Sequence, residues 1–230
     1  MTLIFGGLFY FRDSKINYPL INFKMFKIRT FTFGNIAVMT SYMCMFTNGI
    51  LLPLFLQEIV KYNAFLTGLL ILPYSIASSA VAPFAGSYAG KNGSRGLTIA
   101  GPCIYILALV IFTTFNPSTP MWEIVLASVI MGIGNGCFQS PSNNAIITCV
   151  NKDELGIASG ILSLSRNLGN ILGVAVTITL FDSFRNLLIE EGTKYQTAFL
   201  TSYHWTMCFG IAFGLTCLIC SAIAYTPEKS

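Results

Sequence analysis

Apolar residues in this chain gather into long runs that short polar clusters interrupt, and the runs predict the elements. A helix needs about 20 mostly apolar residues to cross the ~30 Å hydrocarbon layer of a bilayer, where no water can satisfy its backbone. Six runs reach that length: from about Phe31 to Leu56, Ala64 to Ala89, Gly96 to Phe115, Met121 to Val150, Leu155 to Phe181 and Tyr203 to Tyr225. Gln57, Glu58, Lys61 and Asn63 separate the first two. The turn from Asn116 to Pro120 closes the third, because its two prolines cannot continue a helix. Asn151, Lys152, Asp153 and Glu154 divide the fourth from the fifth. Between Asp182 and Ser202 charges mix with Phe and Leu, a pattern expected of an amphipathic segment lying in the membrane interface. The expected fold class is all-α integral membrane, a six-helix transmembrane bundle.

Residues Met1 to Phe11 are apolar but lack a basic leader and a small-residue cleavage site, so they read as the end of a preceding helix, not a signal peptide. The expected organisation is that partial helix and a basic linker over residues 1–30, then the six-helix domain over 31–227. A chain that begins inside a helix is expected to be part of a larger protein.

Composition removes the soluble alternative. Hydrophobic residues make up 54% and charged residues 10% of the chain, with a mean hydropathy of +0.68, against roughly 25% charged residues in a soluble domain. The net charge of +4 is not gathered into a stripe, so nucleic acid is not an expected partner. All seven cysteines lie in apolar stretches and read as packing residues. Cys217 and Cys220 spell CxxC, but without a second pair or a nearby His they do not make a metal site.

The placement of charge sets orientation. Of the 13 Lys and Arg, nine fall at one set of helix ends: Arg12, Lys15, Lys24, Lys27, Arg29, Lys91, Arg95, Lys152 and Lys229. Lys61, Arg185 and Lys194 fall at the other, and Arg166 lies inside a span. Short loops rich in Lys and Arg stay in the cytoplasm, so the linker and the C-terminus are expected on that side.

Polar residues at membrane depth are costly and mark helix interfaces or a solute path. On the fourth span Asn135, Gln139 and Asn143 recur every four residues, which sets three amides on one face over roughly 12 Å of helix. They can bind a solute or act as glue between helices. The fifth span shows Ser159, Ser163, Arg166, Asn170, Gly173 and Thr177, one seam along the helix. Arg166 stands about 16 Å past Leu155, near mid-membrane, where a charge costs at least ~2.5 kcal/mol. It either serves a site, pairing with an anion or tuning an acid elsewhere, or is tied to helix carbonyls, Asn167 or Asn170.

Glycines crowd the same helices, with Gly132, Gly134 and Gly136 on the fourth and Gly156, Gly160, Gly169 and Gly173 on the fifth. Spacings of four let backbones approach. Pro141 is expected to kink the fourth span. Tyr42, Met39, Met43 and Met45 are the aromatic and thioether side chains suited to greasy cations.

No Asp or Glu falls at mid-membrane, and His204, at the entrance of the last span, reads as an interfacial residue rather than a proton relay. The chain has no nucleophile with a base at depth, no phosphate-binding loop and no metal cluster, so neither catalytic residues nor a cofactor are expected.

The segment AVAPFAGSYAGKNGSR, between the second and third spans, resembles the signature loop of the major facilitator superfamily, with Gly86, Lys91, Gly93 and Arg95 in the matching places. The loop's usual acid is replaced by Gly90, and Ser94 stands for one basic residue. PLINFKMFKIRTF, LLPLFLQ, GLLILPYSIASSAVAPFAG, GIGNGCFQSPSNNAI and ELGIASGILSLSRNLGNILGVAV follow in the order of the last six helices of that superfamily's fourteen-helix drug:proton antiporters. The likeness runs from about residue 18 to 227. It implies a C-terminal half of a bacterial plasma-membrane exporter that moves small hydrophobic, often cationic drugs against protons by alternating access. It also implies partners: an N-terminal half of six to eight helices, on the same or another chain, with membrane lipid around both. The proton-carrying acid would lie in that half, so this one alone is expected to be inactive. Lys91 and Arg95 would latch a gate, or only anchor the loop at anionic lipid. A six-helix interaction module without transport remains the alternative.

Overall fold

The computed structural model describes residues 23–225; the expected preceding helix at Met1–Phe11, Arg12 and Lys15 of the linker, and Lys229 lie outside them. Six helices long and apolar enough to cross a membrane form among the described residues. They are α1 (Arg29–Leu54), α2 (Ala64–Asn92), α3 (Arg95–Phe112), α4 (Met121–Thr148), α5 (Leu155–Glu190) and α6 (Tyr195–Ala224). A π-helical turn, Phe55–Ile59, prolongs α1. The chain is a multi-pass membrane protein.

The helix ends follow local chemistry. Asn63 caps α2 by accepting a hydrogen bond from the Leu66 amide at 2.8 Å. Gly93, at φ 86°, ends it in a conformation that costs other residues dearly. The predicted turn at Asn116 is closed by its own side chain, whose Oδ1 accepts from the Ser118 amide at 2.9 Å.

One expectation is corrected. Asp182 to Ser202 is not a separate interfacial segment, since α5 continues to Glu190 and α6 begins at Tyr195. Two of the charges satisfy one another on the continuing helix. Arg185 pairs with Asp182 at 2.8 Å, three residues apart, and its guanidinium lies 5.4 Å from the centre of the Phe181 ring.

The two sequence triplets, α1–α3 and α4–α6, exchange their leading helices. Helix α1 packs on α5 and α6, α4 packs on α2 and α3, and the α3–α6 contact joins the two groups. Helices α1 and α4 are therefore the most buried spans, and α2 and α5 the most open.

Close backbone approach holds these pairs. A Cβ at Gly136 would stand 2.8 Å from the Ser78 carbonyl oxygen on α2, and one at Gly134 2.7 Å from the Tyr105 amide on α3. Gly132 lies against the Tyr74 carbonyl. On α5, Gly169 meets the Met39 backbone, and a Cβ at Gly173 would be 2.8 Å from Met43 Cα. Helix α4 uses alternate glycines for two neighbours. Gly156 and Gly160 share the same spacing but face open space among the described residues.

Aromatic rings fill the end of the bundle away from the basic loops. Phe55 stacks on Tyr203 with ring centres 5.1 Å apart, and Phe112 meets Phe115 edge-on at 5.1 Å. His204 Nε2 lies 3.0 Å from the Phe115 carbonyl and donates to it, tying α6 to the α3–α4 turn. The histidine holds a backbone group.

Candidate functional site

The α4 amides meet side chains from α1 and α2. Asn135 Nδ2 donates to Ser78 Oγ at 2.9 Å. Tyr42 OH donates to Gln139 Oε1 at 3.1 Å, and Gln139 Nε2 reaches Met45 Sδ at 3.8 Å. Tyr74 OH gives its proton to the same sulfur at 3.6 Å. The cluster exists because Gly132 and Gly136 admit α2 closely enough for Ser78 to reach an amide on the same face of α4. Asn143 continues the stripe towards the basic end, where its buried Oδ1 has no hydrogen-bond partner among the described residues. Helix α4 runs on through the buried Pro141 between Gln139 and Asn143.

Beside the cluster, towards the end away from the basic loops, lies a cavity of about 320 Å³ between α1, α2 and α4. Met45 and Tyr74 belong to both, and Asn48 and Ser128 line the cavity wall. Of the side chains suited to greasy cations, Tyr42 and Met45 take part. Met39 and Met43 instead present backbone to Gly169 and Gly173.

The α5 seam divides. Gly173 and Thr177 join the contact with α1, where Thr177 and Thr47 hydroxyls lie 3.0 Å apart. Ser165, outside the predicted seam, donates to Asn35 Oδ1 on α1 at 3.0 Å. Ser159 and Ser163 are exposed and turn their hydroxyls back onto the carbonyls of Gly156 and Ser159. Arg166 is half-buried, its Nε is without a hydrogen-bond partner, and the Asn170 Oδ1 one turn on is likewise unpartnered. The fixed tie to Asn167, Asn170 or carbonyls is absent. No carboxylate pairs with Arg166 among the described residues, whose two ion pairs are Lys61–Glu58 and Arg185–Asp182.

The signature-like residues occupy two environments. Gly86 lies within α2, where a Cβ would stand 2.6 Å from Ser140 Oγ, so it packs against α4 rather than forming a loop. Lys91 sits in the last turn of α2, Gly93 makes the turn and Arg95 opens α3. Lys91 at a helix C-terminus faces the negative end of the helix dipole. Lys91 and Arg95 are both exposed and neither forms an ion pair among the described residues. No group of three or more His, Cys, Asp or Glu could hold a metal ion among the described residues.

Sequence reasoning passed over Tyr74, Ser78, Asn48 and Ser128. Asn48 carried the same signal as the α4 amides, a lone amide in an apolar run. The two serines carried none, since small hydroxyls are common on spanning helices.

A six-helix bundle with amide, phenol and thioether groups meeting within its span defines a multi-pass membrane protein with a polar interior. The chain belongs to the Major Facilitator Superfamily, whose family model matches residues 34–230. It is 28% identical over 196 residues to riboflavin transporter RibZ of Clostridioides difficile, covering 85% of this chain and 42% of that protein. To lincomycin resistance protein LmrB of Listeria monocytogenes it is 28% identical over 220 residues, covering 94% and 47%. To multidrug export protein EmrB of Escherichia coli it is 27% identical over 186 residues, covering 79% and 36%. The chain thus spans less than half the length of these relatives.

Proposed function

We propose that this chain is the C-terminal half of a multidrug efflux transporter of the bacterial cell membrane, exporting hydrophobic and cationic drugs by proton antiport through alternating access. The basic end faces the cytoplasm, as does the C-terminus. The observation that carries the reading is Arg166: a half-buried guanidinium within a spanning helix, with no counter-ion among the described residues. A charge at that depth persists where it faces water or a partner. An N-terminal half of six to eight helices supplies that partner, and with it the proton-carrying acid, since no acid lies at mid-span here. Without it the chain is inactive.

Accessibility tests the proposal. Asn143→Cys and Arg166→Cys would each be placed in a variant stripped of its native cysteines and co-expressed with an N-terminal half. Membranes would then be treated with a small hydrophilic thiosulfonate. Labelling that lincomycin or ethidium slows supports a solute path. Cysteines that stay unlabelled in the assembled protein would sink the transporter reading and leave a packing seam.

A further inference from the structure

The cavity between α1, α2 and α4 differs from the rest of the polar interior in what it offers a ligand. Its volume of about 320 Å³ is that of a small-molecule pocket. Its wall is mostly apolar, built from such residues as Phe46, Ile71 and Met131, and no charged side chain lines it. Polar side chains break that wall at Asn48, Tyr74, Ser75 and Ser128. Asn48 Oδ1 and Ser128 Oγ are both buried and find no hydrogen-bond partner among the described residues, their residues being 8% and 2% exposed. The Tyr74 phenol is already committed to Met45 Sδ. Buried polar groups are almost always satisfied, and these two belong to residues that line one cavity.

From this we infer that the cavity is a binding subsite for uncharged, mainly apolar molecules carrying a hydroxyl or N–H, not for permanent cations. An amide oxygen accepts only, so Asn48 calls for a donor, and Ser128 can answer the same ligand as donor or acceptor. A permanent cation brings no such donor if fully alkylated. It would also lose its hydration in a wall without a carboxylate, with only ring faces and thioethers to offset the loss. The inference deepens the transport reading and rests on it only for the ligand's being cargo. Binding is decided separately.

The test compares three bicyclic probes of similar size, 1-naphthol, 1-methylnaphthalene and N-methylquinolinium. They are measured by equilibrium dialysis against the purified chain in nanodiscs, with empty nanodiscs subtracted. A hydrogen bond to an otherwise unmet group predicts that naphthol binds about tenfold tighter than methylnaphthalene, with quinolinium weaker than naphthol by at least that factor. Asn48→Leu and Ser128→Ala should each remove most of the naphthol preference and leave methylnaphthalene within about twofold. Gly49 also lines the cavity, and a Cβ there meets no heavy atom within 4 Å. Gly49→Leu should therefore weaken both neutral probes without disturbing the melting transition. If Asn48→Leu melts early, Ser128→Ala and Gly49→Leu decide. A naphthol preference unchanged in folded variants, or quinolinium binding as tightly as naphthol, would overturn the assignment. Selective binding without export of naphthol from cells carrying both halves would instead sink the transport reading and leave the subsite standing.

Discussion

Thr47 and Thr177 face each other with hydroxyl oxygens 3.0 Å apart, buried between α1 and α5. They end a stripe of four contacts, Asn35 with Ser165, Met39 with Gly169, Met43 with Gly173 and Thr47 with Thr177, each pair separated by 130 residues. Steps of four on both helices mean that α1 and α5 run parallel and in register, with one contact per turn. Asn35 and Thr47 mark its polar ends, and the glycines its close middle.

The hydroxyl pair is predicted to be non-additive. Thr47→Val leaves Thr177 with no partner in a buried seam and should cost about 1–2 kcal/mol, whereas the double change to Val should recover most of that loss. Thermal unfolding in detergent of the single and double variants gives the coupling. Simple addition of the two losses would show that the contact is incidental.

Glycines of equal spacing should respond oppositely. Gly173→Leu drives a side chain into Met43 and should destabilise by about 1–3 kcal/mol. Gly160→Leu enters open space and should leave the melting temperature of this chain unchanged or raise it slightly, because Leu is the better helix former. Equal losses at both positions would contradict the pairing described.

Arg166→Leu separates a functional charge from a structural one. The arginine has no partner for its Nε and forms no ion pair among the described residues, so its removal should not lower the melting temperature. In a complete transporter the same change should cut drug export at least tenfold, with Arg166→Lys retaining part of it. A variant that melts early and transports normally would reverse the assignment.

The Tyr42–Gln139 bond is predicted to matter more for solute than for fold. Tyr42→Phe removes the donor to a half-buried amide and should cost only about 0.5–1.5 kcal/mol of stability. Altered drug resistance at unchanged protein level in the assembled transporter is the expected readout.

His204→Ala should loosen the α3–α4 turn by roughly 1 kcal/mol through loss of the bond to the Phe115 carbonyl. The pH profile of export should not move. A shifted profile would make the residue part of the proton path.

The spans were legible in the sequence because bilayer thickness imposes a length that apolar runs must meet, and charge and proline mark where they stop. Asn135, Gln139, Asn143 and Arg166 were legible for a related reason: a polar group in hydrocarbon is costly enough to be conspicuous. The sequence also contained, but could not rank, the glycine pairs. Gly156 with Gly160 and Gly169 with Gly173 have the same spacing, yet only the second meets a helix, because contact depends on which face the fold turns towards α1. The exchange of α1 and α4 between triplets, the partners of Asn135 and Gln139, and the convergence of Asn48 and Ser128 on one cavity are properties of packing. Spacing along one helix fixes which side chains share a face. Only the approach of a second helix decides what that face touches.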